Sequence, residues 1–116
     1  MTINRADPSS APNRPETATR NAETEARNDA QAGRTDSAIG RATNAIGTGR
    51  DTGWQYQQRA SLFLEQGDYA RAADDYQTAI AAYREQIAKG ERVEDARSGI
   101  ESCQSGLRLA KARLRR

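Results

Sequence analysis

Large apolar residues are scarce up to Gly53 and become regular beyond it. Residues 1–53 contain no Leu, Val, Phe, Tyr or Trp, and their large aliphatics are Met1, Ile3, Ile39 and Ile46. Such a segment cannot bury enough apolar surface to offset roughly 1–2 kcal/mol per residue of backbone ordering. The pattern therefore predicts a disordered region or linker over 1–52 and a folded unit over 53–116. Ala18, Ala22, Ala26 and Ala30 recur every fourth residue, which supports transient helix only. Ala38-Ile39-Gly40 returns seven residues on as Ala45-Ile46-Gly47. Ile39, Ala42 and Ile46 share a helical face there, so residues 38–47 form a candidate docking segment that orders on binding. The glycines around it favour a flexible linker.

After Gly53 three amphipathic segments can be read, and the fold class they predict is all-α, an antiparallel three-helix unit. The first, about 53–66, sets Tyr56, Ala60 and Phe63 on one face, with Thr52 and Gln55 in a capping-box arrangement and Gly67 as the stop. The second, about 69–89, is capped by Asp68, carries Tyr69, Ala73, Tyr76, Ile80, Tyr83 and Ile87, and closes at Gly90. The third, about 91–115, carries Val93, Ala96, Ile100, Cys103, Leu107, Ala110 and Leu114, spaced alternately by three and four. Ser98-Gly99 and Ser105-Gly106 interrupt it with poor helix formers. They either weaken the helix or let a neighbour approach closely there.

The run from Arg59 to Ala72, through the turn Gln66-Gly67-Asp68-Tyr69 and on to Tyr76, Ala79 and Ile80, resembles a tetratricopeptide repeat. Small residues Ala60, Ala72 and Ala79 fall where two helices of that motif approach, and Arg59 stands where the motif carries a large aliphatic. The whole three-helix region is also similar to microtubule-interacting and trafficking domains, whose third helix has a comparable pattern to Ile100, Cys103, Leu107, Ala110 and Leu114. Both resemblances imply a protein-binding scaffold. The first implies a groove lined by Trp54, Gln57, Ser61 and Leu64. The second implies a partner helix lying beside the third helix, near Arg108, Leu109 and Arg113.

Composition changes this picture in a few places. A net charge of +2 with 18 basic and 16 acidic residues gives no concentrated basic face of the kind nucleic acid requires, so none is expected as partner. The one basic cluster, Arg108 to Arg116, complements the carbonyl end of the last helix. Cys103 has no partner for an intrachain disulfide and reads as a small buried hydrophobe. The sequence has no apolar run long enough to span a membrane, which favours a cytoplasmic protein, although a polar amino terminus is also compatible with type III export. With no histidine, no metal-loop spacing and no phosphate-binding loop, neither an enzyme nor a cofactor is expected. The expected function is a non-enzymatic adaptor, chaperone or assembly factor that binds a peptide or amphipathic helix of another protein. The alternative is a structural subunit or secreted bacterial effector completed by oligomerisation or by its partner.

Overall fold

The computed structural model describes residues 15–116, with side chains from residue 31 onward. Its helices are α1 (Pro15–Ile46), α2 (Thr52–Gln66), α3 (Tyr69–Ala88) and α4 (Val93–Leu114). The chain divides into two units, Met1–Gly33 and Arg34–Arg116. Among the described residues of the first unit, the backbone from Pro15 is helical. The packed core lies in the second.

Among the described residues the all-helical expectation agrees with the structure, but the count of three helices does not. A fourth helix, α1, spans positions 15–46, where the sequence pattern offers transient helix and a segment that orders on docking; the disorder expected for residues 1–14 lies outside the described residues. The reason is tertiary. In the second unit Thr35 and Ala42 are buried, and Ile39 packs on the core cluster, so a stripe at helical spacing is covered. Thr35 Oγ1 donates to Glu65 Oε1 at 3.4 Å, and Arg59 Nη1 donates to Thr43 Oγ1 at 3.2 Å. Gln66 Nε2 also donates to Asp36 Oδ1. The segment expected to dock on a partner thus meets α2 of its own chain.

The turns follow local chemistry. Gly67, at φ 87°, ends α2 with its N–H on Leu64 O (3.1 Å), and Asp68 N–H reaches Phe63 O at 2.9 Å. That pair of bonds is the Schellman arrangement. Asp68 then caps α3 by accepting from Arg71 N–H at 3.2 Å. Gly90, at φ 73°, repeats the device at the end of α3, with Glu91 N–H on Gln86 O at 3.0 Å. The capping box expected at Thr52 is not formed. Thr52 is the first helical residue, the cap position belongs to Asp51 in a left-handed conformation, and Thr52 Oγ1 instead donates back to Gly49 O at 3.4 Å.

Helix α3 is central, packed on α2 on one side and α4 on the other, which touch each other more lightly. Its buried face is Ala72, Ala73, Tyr76, Ala79, Ile80 and Tyr83. Two glycines of α4 make room for its tyrosine rings. A Cβ on Gly99 would lie 2.4 Å from Tyr83 Cζ, and one on Gly106 would lie 2.3 Å from Tyr76 Cζ. Numbers that rise by seven on α4 fall by seven on α3, the signature of antiparallel helices in one heptad register. Close approach, not a weakened helix, is therefore the role of both Ser-Gly pairs.

Candidate protein-binding groove

On the side where α2 and α4 begin, a furrow of about 500 Å³ opens between them. Trp54 and Gln57 come from α2, Tyr83 and Gln86 from α3, and Asp95, Ser98 and Ser102 from α4. The two walls run parallel because each is antiparallel to α3. Tyr83 forms the floor. Its ring lies between Gly99 and Gly53, where a Cβ would stand 2.8 Å from its Cδ1. Its hydroxyl donates to Gln57 Oε1 at 2.6 Å. Burial, with Cys103 close by, pushes this phenol up to about 12. Burial likewise raises the Cys103 thiol to about 11, so both groups stay neutral at physiological pH.

The mouth is closed at one end by an ion pair between the two helix starts. Arg92 Nη2 lies 2.6 Å from Asp51 Oδ1, and both residues sit at the cap position of their helix with φ 42°. The left-handed conformation costs a non-glycine residue about 1–2 kcal/mol. The exposed pair returns about 1 kcal/mol at most.

The two sets of residues expected from the two resemblances prove to be neighbours in part. Trp54, half exposed at 50%, and Gln57 line the furrow. Ser61 lies one turn further along α2 and is exposed. Leu109, 44% exposed, and Arg113 share the α4 face of Asp95 and Ser102 by helical spacing. Arg113 also stands 6.0 Å over the Tyr69 ring. Leu64 is part-buried against the core cluster, so its place is packing more than display. Arg108 is exposed, donates to Ser105 Oγ at 3.2 Å, and does not line the furrow.

Sequence reasoning missed Tyr83, Gln86 and the Asp51–Arg92 pair. For Tyr83 a signal existed in the seven-residue interval of Gly99 and Gly106, which matches that of Tyr76 and Tyr83. The Asp51–Arg92 contact joins residues far apart in sequence and has no local signature.

A second depression of about 560 Å³ lies between α1, α2 and α3, and Arg59 fills its floor. Its guanidinium holds Asp75 in a two-pronged bond, Nε to Oδ2 at 2.7 Å and Nη2 to Oδ1 at 2.9 Å. Side-chain exposure is 21% for Arg59 and 8% for Asp75. The rings of Tyr56 and Phe63 each lie 5.6 Å from the charge. The bond to Asp75, opposed by burial, raises the Arg59 pKa further above its ordinary value. With donors committed to Asp75 and Thr43, this cation ties three helices together.

Among the described residues no group of three His, Cys, Asp or Glu could hold a metal ion, and no helix is long and apolar enough to cross a membrane. No family model, no curated protein and no solved structure matches this chain.

Proposed function

We propose that the unit Arg34–Arg116 is a non-enzymatic protein-binding module that takes an extended peptide of another protein into the furrow between α2 and α4. The observation that carries this reading is the furrow itself, where a half-exposed Trp54 stands beside the side-chain amides of Gln57 and Gln86. An indole offers apolar area at little entropic cost, and amides can pair with peptide N–H and C=O groups. The tetratricopeptide resemblance supports the same use of the first helix of the hairpin. An adaptor or assembly factor working in the cytoplasm is the role that fits such a module.

The test is a displayed-peptide selection on the full chain, followed by titration of a selected peptide against Trp54 fluorescence. Trp54 is the one tryptophan, so the signal is local. For Trp54→Ala, binding followed by calorimetry should weaken at least about thirtyfold, the scale of an interface anchor. Leu64→Ala should cost stability while leaving the affinity of the folded fraction unchanged. Peptides that bind Trp54→Ala as tightly as the natural chain would reject the furrow.

A further inference from the structure

The outward side of α4 carries charge in an order that complements itself on reversal. One stripe at seven-residue spacing reads Glu94, Glu101, Arg108, Arg115, acidic toward the start and basic toward the end, and all four are exposed. Beside it runs a seam through Ser98, Ser102, Ser105, Leu109 and Ala112, spaced alternately by four and three and exposed throughout. Leu109 is one of the few exposed large hydrophobics of the described chain. This side is distinct from the face buried on α3, which uses Ala96, Gly99, Cys103 and Ala110.

We infer that a second copy of this chain docks here, with the two α4 helices antiparallel about a two-fold axis between Gln104 and Ser105. In that register Glu101 faces the partner's Arg108 and Glu94 faces the partner's Arg115. Symmetry makes each pair twice. Along the seam, Leu109 falls between the partner's Ser98 and the partner's Ser102, and Ser105 falls between the partner's Ser102 and the partner's Ser105, a large residue against small ones and small against small. A parallel arrangement would set Glu against Glu and Arg against Arg, so the charges select the antiparallel one. Leu109 is thereby covered, and it lands at the edge of the furrow because Ser98 lines it. The inference rests on the charge order of α4 and not on the peptide reading, and because Ser98 and Ser102 belong to both surfaces, a peptide in the furrow would compete with the second copy.

Sedimentation equilibrium of the full chain tests it. The natural chain should show a monomer–dimer equilibrium that weakens as salt rises, since the selecting charges are exposed. Arg108→Glu and Glu101→Arg should each raise the dimer dissociation constant about tenfold or more, and the double exchange should bring it back to within about threefold. The two positions lie about 10.5 Å apart along one helix, so restoration cannot come from a bond within the chain. Circular dichroism of each variant verifies that the helices are retained. A chain still monomeric at about 1 mM, single reversals without effect, or a double exchange no better than the singles would each overturn the antiparallel dimer.

Discussion

Gly99→Ala puts a methyl group into the space that the Tyr83 ring occupies. The added Cβ would stand 2.4 Å from Cζ and 2.5 Å from Cε2, against about 3.5–4.0 Å for relaxed carbon contact. Retreat toward α2 is limited by the backbone of Gly53, where the ring already fills the space a side chain would take: a Cβ there would stand 2.8 Å from its Cδ1 and Cε1. Overpacking costs about 1–3 kcal/mol, and a ring held on both sides belongs at the upper end. Alanine returns about 1 kcal/mol through its better helix propensity. The net loss is about 2 kcal/mol, or roughly 8–16 °C in Tm for a unit of this size. Thermal melts followed at 222 nm, with urea titrations, measure it. Gly40→Ala is the control: nothing lies within 4 Å of its Cβ position, so that variant should gain about 1 kcal/mol. In a Tyr83→Leu background, Gly99→Ala should lose most of its penalty. A Gly99→Ala variant as stable as Gly40→Ala would refute the close approach of ring and helix.

Two further outcomes bear on the core. Arg59→Met leaves the Asp75 carboxylate buried without its partner and should cost about 3 kcal/mol; Arg59→Met with Asp75→Leu should recover most of that loss, whereas equal loss in both would deny the pair its part in stability. Stability should fall in alkali, since burial raises the Cys103 thiol from 9.0 to about 11 and the Tyr83 phenol from 10.0 to about 12. The folded state then binds these protons more tightly than the unfolded chain, so their contribution is complete below pH 9 and is lost as pH rises through 11 and 12. Urea midpoints measured from pH 8 upward, with tyrosinate absorbance in parallel, follow this loss; a midpoint unchanged while the tyrosines ionise would contradict it.

What could be read from the sequence was what depends on neighbours in the chain. The turn Gln66-Gly67-Asp68-Tyr69 carries its own instructions, a left-handed glycine followed by a capping carboxylate, and the structure uses both. The apolar faces of α3 and α4 were legible because tyrosines, isoleucines and leucines repeat at helical spacing. Helix α1 was not, since its docking stripe is built from Thr35, Ile39 and Ala42, too little surface to announce itself before α2 is there to cover it. Arg59 looked like a departure from its motif because its partner, Asp75, lies on another helix. The furrow was half legible: Trp54 and Gln57 could be named from one helix, while Tyr83 enters from the next.

The glycine slots of α4 have a consequence for how uniquely the helices find each other. Their seven-residue interval equals that of Tyr69, Tyr76 and Tyr83, so a slip of one heptad would set Tyr76 on Gly99 and Tyr69 on Gly106. Two rings would again have two slots, and aromatic packing alone is degenerate between the arrangements. What lifts the degeneracy is the place where the chain reverses. The slipped state would need its reversal near Ile87, inside α3, whereas the left-handed Gly90 puts it a few residues later. Gly90 therefore chooses a phase as well as ending a helix, and a chain with that glycine relocated would have two interlocking states to divide its population between.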